Sequence, residues 1–521
     1  WLTAEEIQAE SSGCYLVPGD AGGGMRLLSL AEASAVWGRS DGTTLPANKY
    51  DAPIEDLCGN GGGEGDGGTG GCTSGSCLLS QASVGGVASG RGTEPASGPL
   101  PLRRLVSTGD GTFGMAREPG MARWRISEPF LNLWLEDKPL GYQPGKGPKV
   151  ELALSYKQRD DTAGATPSCF SWGYGWNCNW RSYVTTTDPT GSVEIYWPGG
   201  SSSSLSFNGQ TSVTNYYNNT RVSYVLSGED VIRYEVVHAD GSTNVYGFMR
   251  QDSTAERQDF FLTQRKDPQG QVLRMDYAKY GIDPETYFET IHLLYVVDAD
   301  GRTNSVYYRT SGNTNLVDHV TDAFGRACTF SYNGNQHLTN IQDVVQINSG
   351  FTYDGAGWPL TMTTPYGTTS FNIQVSQAHV DRSVIITDPV GRIEAYALML
   401  DYTGEDMPSY AQVPSGAPLS TLDTNNTLRP VRNTFYWDPE QLAACGSTNL
   451  VDFTWSELKL ARIRHWLQEA SGNSLSQTLD HEQLPSPDGS AEGQIYWYDY
   501  EGKTANYRRG TLVAPVVQTQ V

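Results

Sequence analysis

The sequence predicts a mainly β protein of short antiparallel strands joined by tight turns, behind a short, partly helical, Gly-rich N-terminal region. Three observations predict it. The composition pairs 58 Gly with 29 Tyr and 13 Trp while only 18% of residues are charged, which suits many turns and many short aromatic strands. From about residue 100, alternating runs are separated by Gly, Pro, Asn and Asp. Most telling, one corner recurs: Asp, two residues, Gly, then a strand.

Five regions follow in order. Residues 1–58 carry two helical signals: Thr3 with Glu6 fits a capping box before Ile7, and Leu28 to Trp37 is rich in Ala, Leu and Glu. Residues 59–100 form a Gly/Ser-rich linker. Its run from Gly61 to Gly68 looks at first like a calcium-binding nonapeptide array, but such an array needs several regular copies, and one irregular stretch is present. Residues 101–184 form a β-rich lead-in with an aromatic-glycine segment, Phe170 to Trp176. Residues 185–400 hold the corners. Residues 401–521 form a β-rich extension with a short helix near 438–444 and a strand within Thr511–Val521. Strands are expected at Val150–Tyr156, Val193–Trp197, Tyr224–Leu226 and Val231–Val237. A chain whose last residues still read as a strand is expected to be a piece of a larger precursor, or a subunit whose sheet a neighbour completes.

The corners pair Asp188 with Gly191, Asp267 with Gly270, Asp298 with Gly301, Asp322 with Gly325, Asp354 with Gly357 and Asp388 with Gly391. Asp at turn position i bonds its own backbone two residues on, and Gly at i+3 accepts a positive φ. Pro189, Pro268 and Pro389 preset φ at i+1. The flanks agree. Positions three, five and seven after the Gly share one strand face, giving Leu273, Met275 and Tyr277, then Asn304, Val306 and Tyr308, then Cys328, Phe330 and Tyr332. A decayed copy runs from Val236 to Gly241, with His238 in the Asp place as a turn residue rather than a base.

These residues resemble the Rhs/YD-repeat family, most clearly over about 185–400, at Asp322 to Arg326 and Tyr353 to Gly357. The family includes bacterial Rhs proteins, the encapsulating shells of toxin complexes and teneurins. The resemblance implies β-hairpins joined into one continuous spiralling antiparallel sheet, a shell or wall. The sequence departs from toxin-bearing members in lacking the self-cleaving aspartyl segment that ends their shell.

Function classes can be narrowed. Against 36 Lys and Arg stand 58 Asp and Glu, a net charge of −22, which disfavours nucleic acid and anionic membranes as partners. No run of about 18 apolar residues marks a membrane span. Eight Cys suit export and disulfides, with Cys169 and Cys178 the best local pair; Cys72 and Cys77 lack the His/Cys company a zinc site needs. No metal-binding His motif, phosphate loop or nucleophile elbow occurs. Asp480-His481-Glu482 reads as a polar cluster in a loop, and Asp160/Asp161 as a solvated turn. Trp172, Trp176 and Trp180 fill a core or, if exposed, stack on sugars. Asn218 and Asn425 begin glycosylation sequons. No enzyme and no cofactor is expected; acidic turns leave calcium open, although that ion needs several converging oxygens. The expectation is a secreted or surface structural protein, bacterial in type by its resemblance. Its partner is itself, by strand addition into a filament, or a further part of the same precursor. The alternatives are the first part of a toxin-encapsulating shell and a glycan-binding adhesin.

Overall fold

The computed structural model describes residues 14–18, 25–29, 121–159, 169–212, 220–251, 257–283, 287–402, 430–511 and 515–520. They fall into two units. In the first, β1 (Cys14–Pro18) and β2 (Met25–Ser29) form an antiparallel hairpin with Tyr15 opposite Leu28. The helix expected from Leu28 therefore does not start there: pairing with a β-prone partner overrides local helix propensity. The capping box at Thr3 and the linker at 59–100 lie outside the described residues.

The second unit contains two sheets. The smaller is the lead-in sheet, with β3 (Arg123–Ser127), β4 (Asn132–Tyr142), β5 (Val150–Lys157) and β6 (Trp176–Cys178) in sequence order. The larger contains twenty-four described strands, from β7 (Tyr183–Asp188) to β30 (Val517–Gln520). Its first eight strands close a ring, because Phe260 of β14 (Gln258–Lys266) pairs with Val184 of β7. The second half of β14 pairs instead with β15 (Val272–Ile282), Gln264 opposite Arg274. One strand thus both closes the ring and releases the sheet, which continues antiparallel to β30. The mainly β class and the long antiparallel sheet agree with the sequence expectation.

Alternation decides which face is buried. Over Ala327–Tyr332, Cys328 and Phe330 point inward while Thr329 is exposed. Adjacent strands extend that row: Phe330 lies opposite Ile341, Phe351 opposite Met362, and Phe371 opposite Ile386. These side chains share one core with Leu133, Leu135, Leu152, Leu154, Trp172 and Trp176 of the lead-in region. Two sheets stacked face to face bury what neither could bury alone.

A second core lies across the sheet. In Ile393–Asp401, Tyr396 and Leu398 belong to the first core, whereas Ala395, Ala397 and Met399 belong to the second. The latter pack with Phe435, Trp437 and helix α1 (Pro439–Cys445). That helix lies where the sequence places it. Asp438 accepts hydrogen bonds from the N–H groups of Glu440 and Gln441, and the Gln441 side chain bonds back to the Asp438 N–H.

Candidate functional site: the rims of the sheet

Successive antiparallel strands place their corners on alternate rims. In five copies the structure gives one local geometry. The N–H groups of Gly270, Gly301, Gly325, Gly357 and Gly391 donate to the carbonyls of Asp267, Asp298, Asp322, Asp354 and Asp388, at 2.9–3.1 Å. Each of these glycines has φ between +78° and +86°. The Asp Oδ1 also accepts from the N–H four residues on, as from Arg326 at 2.9 Å and Trp358 at 2.8 Å. This is a type I turn closed by a left-handed bulge residue. Asp188 and Gly191 share the turn bond (3.1 Å) but differ in backbone: Gly191 lies outside the left-handed region, and the strand pairing shifts register between Thr185 and Asp188.

At four of the five corners the glycine has open space around it. Gly270, Gly301, Gly325 and Gly391 are exposed on the rims, and a Cβ added to any of them would meet nothing within 4 Å. No neighbour packs on them, so Gly270, Gly301, Gly325 and Gly391 answer only to the left-handed backbone of the corner. Gly357 is the exception of the five, because a Cβ there would strike the His337 ring at 2.8 Å. Local sequence reveals a turn but not whether anything lies over it.

Two further corners of this geometry carry no Gly at the bulge. Gln336 (φ 64°) closes the corner at Asn333, and Gln346 (φ 68°) closes the one at Asp343. Asn333 and Asp343 supply the side-chain acceptors. His238 also occupies the first position of such a corner, with Gly241 at φ 83°. There Asp240 Oδ1 takes the Ser242 N–H at 2.8 Å.

A tyrosine lies in each of four successive outgoing strands. Tyr277, Tyr308, Tyr332 and Tyr353 donate their hydroxyls to the carbonyls of Leu262, Leu293, Val317 and Leu338, each fifteen residues earlier, at 2.6–2.8 Å. A register shift occurs at each of these tyrosines. The bulge turns the ring inward, so the hydroxyl reaches the neighbouring strand's end.

Both rims are laced by the lead-in region. Along one rim, the Tyr142 hydroxyl donates to Asp298 Oδ2 (3.1 Å), the Gly145 N–H to Asp300 Oδ2 (2.9 Å), and the Val344 N–H to the Pro139 carbonyl (3.0 Å). Along the other, the N–H groups of Phe170, Ser171 and Tyr174 donate to the carbonyls of Ile291, Asn315 and Gln336, and Val317 returns a bond to Ser171. Trp176 Nε1 donates to the Tyr353 hydroxyl (2.9 Å) and the Tyr156 hydroxyl to the Gly357 carbonyl (3.2 Å). The glycines of the aromatic segment are required by this approach. A Cβ on Gly173 (φ +91°) would strike the Gln336 carbonyl oxygen, and one on Gly175 (φ +76°) the Tyr156 ring.

The same packing decides between the two readings of the tryptophans and corrects the cysteine pairing. Trp172, Trp176 and Trp180 are each 0% exposed, so they offer no platform to a sugar; the sheet against which they pack was invisible locally. Cys169 and Cys178 are free thiols, as are Cys328 and Cys445. The Cys169 backbone forms a β-bridge with Ile291, whereas Cys178 lies in β6 opposite Leu154. Burial pushes the Cys178 thiol up to about 12, which suits an inert core residue. Cys14 has no described side chain, and Cys58, Cys72, Cys77, Asp160, Asp161, Asn218 and Asn425 lie outside the described residues. Asp480, His481 and Glu482 are not in a loop: they belong to β28 (Leu475–Gln483) and are buried. His481 stacks between His465 and Trp497 on the neighbouring strands, with centroids 4.8 and 4.3 Å away.

Two buried carboxyls mark the seam between the sheets. Glu128 meets Arg462 (3.0 Å) and Arg464, and Arg464 also meets Glu482 (2.7 Å). Burial opposes ionisation of Glu128, but Arg462, Arg464 and a hydrogen bond from Thr434 outweigh it and hold the carboxyl at about 2. Asp137 is the opposite case. Burial, with a smaller push from Asp343, raises it to about 7 despite hydrogen bonds from Lys138 and Ser349. A raised carboxyl contributes most below its unfolded value of 3.8, and that contribution is lost as pH rises through about 7. Asp137→Asn is therefore expected to raise the melting temperature at about pH 8 more than at about pH 4, as read by thermal unfolding at both.

Among the described residues no group of three or more His, Cys, Asp or Glu could hold a metal ion, and no helix is long and apolar enough to cross a membrane. No family model matches the chain. No curated protein matches it either. Among solved structures it is similar to the N-terminal domain of effector protein SpvB from Salmonella typhimurium strain LT2, at 13% identity and TM-score 0.25, over 45% of this chain and 92% of that one. It is also similar to TcdB2-TccC3-TEV, at 12% identity and TM-score 0.30, over 74% of this chain and 26% of that one. A third likeness is to the Photorhabdus luminescens Tc holotoxin pore, at 11% identity and TM-score 0.27, over 84% of this chain and 24% of that one. The chain spans about a quarter of the length of these two toxin chains.

Proposed function

We propose that this chain is a structural, non-catalytic wall segment of the Rhs/YD type, extended by strand addition between copies. One observation carries the reading. The large sheet runs strand to neighbouring strand up to β30, whose residue-by-residue pairing among the described strands is with β29 (Ile495–Asp499) alone. The outer side of such a strand presents a row of backbone donors and acceptors, a template for another strand. A head-to-tail contact of that kind propagates unless its rotation closes a ring. The repeated corners support the same reading, since each adds a hairpin to the sheet without interrupting it. Export has lost one of its supports, because the four cysteines whose side chains are described are free.

Copies carrying a net charge of −22 repel one another, so assembly should strengthen as salt screens them. Negative-stain images of the purified chain are expected to show extended or closed assemblies that grow with concentration and with salt. Isolated compact particles under all these conditions would overturn assembly between copies, leaving the edge to a further strand of the same precursor.

A further inference from the structure

The last hairpins enclose an amine without a hydrogen-bond partner. The Lys503 side chain is fully buried, although its backbone lies nearer the surface. Its Nζ stands 3.7 Å from Asp480 Oδ1 and 3.8 Å from Asp499 Oδ1, and both carboxyls are buried too. It makes no hydrogen bond to either. An ammonium removed from water and kept just beyond hydrogen-bond reach is a costly arrangement if its only role is an ion pair.

The surroundings are rigid. The Thr511 N–H donates to the Glu501 carbonyl and the Val516 N–H to the Asp499 carbonyl, at 2.9 and 2.8 Å, closing the loop that carries Lys503. Gly502 turns that loop at φ +76°, where a Cβ would strike Thr511. The Tyr500 hydroxyl donates to the Leu479 carbonyl (2.6 Å), next to Asp480. His481 Nδ1 lies 2.9 Å from Asp480 Oδ2, and the Tyr500 N–H donates to Asp499 Oδ1 at 2.9 Å.

We propose that Lys503 and Asp480 join in an intramolecular isopeptide bond, with Asp499 as the proton carrier. The step starts with one proton moved from Nζ to Asp480 Oδ1, 3.7 Å away, which leaves an amine beside a carboxylic acid. The Nζ lone pair attacks Asp480 Cγ. His481, with its proton on Nδ1, donates to the oxyanion that forms at Oδ2. Asp499 accepts the proton leaving Nζ and returns it to the departing Oδ1 hydroxyl. The Cγ–Oδ1 bond breaks, an amide and one water result, and Asp499 ends as it began. The reaction requires no oxidant, reductant or co-reactant, and the fixed loop holds the partners together throughout. The bond would tie β28 to the loop leading into β30, within the last described strands of the sheet.

The test is the intact mass of the purified full chain, followed by fragmentation of its tryptic peptides. The expected mass is one water below that of the sequence. Trypsin then fails to cut after Lys503, and a peptide spanning residues 465–508 appears, lighter by one water, with the joint between Asp480 and Lys503. Lys503→Ala restores the full mass. A wild-type chain at full mass would overturn the proposal. So would a water loss that persists in Lys503→Ala, or one that fragmentation places elsewhere, such as at Asp488-Gly489.

Discussion

Replacing Glu128 with Gln is expected to destabilise the chain by about 3 kcal/mol at neutral pH, the scale found when one partner of a buried ion pair is removed. The substitution keeps the shape of the side chain and removes its charge. Arg464 then retains Glu482, but Arg462 keeps only a distant contact with that carboxylate, at 3.9 Å. The effect reaches far along the chain, because Glu128 precedes β4 while its partners lie in Arg462–Gln468. The pH dependence has a definite sign. Glu128 has a lowered value, about 2 against 4.5, so its contribution is present above 4.5 and is lost as pH falls towards 2. Wild type and variant should therefore differ most at neutral pH and converge as acid is added, as read by denaturant unfolding at several pH values. A constant gap across that range would mean that lost packing, not lost charge, causes the effect.

Gly173→Ala is expected to cost about 3 kcal/mol or more, because two penalties add: a left-handed backbone on a residue with a Cβ, and a clash with a carbonyl. Neither can relax cheaply. The Gln336 carbonyl that would be struck also accepts the Tyr174 N–H, and Gln336 itself closes the Asn333 corner at positive φ. Limited proteolysis should show the variant opening first within the aromatic segment. Unchanged unfolding would mean that this segment does not lace the rim.

The corners were legible because residue type alone encodes them. Asp at the first position has a side-chain acceptor for the N–H groups that the turn exposes, and Gly at the fourth tolerates the left-handed region. The corners at Asn333 and Asp343 escaped notice because Gln336 and Gln346 occupy that fourth place. The open space around Gly270, Gly301, Gly325 and Gly391 shows why a side chain can stand there: the cost is conformational, with no clash added. A search for Asn or Asp between apolar strands, without requiring Gly, would have found them. The tyrosines at 277, 308 and 332 were visible as a face position, but their hydroxyl bonds were not, since the register shift that aims them arises only in the sheet. The lacing of the rims was hidden for a simpler reason. Tyr156 meets Gly357 across 201 residues and Trp176 meets Tyr353 across 177, and no local pattern carries such information. The same distance in sequence concealed the burial of Trp172, Trp176 and Trp180, and spacing alone suggested a Cys169–Cys178 bridge that the strand pairings do not form.

Hydrogen exchange of the backbone amides tests the continuous, rim-laced sheet most directly. The N–H groups of Phe170, Ser171 and Tyr174 should exchange as slowly as those of the strands between Val317 and Tyr353, since segment and strands open together. Rapid exchange at 170–174 while those strands stay protected would show the segment to be detached, and would contradict the account.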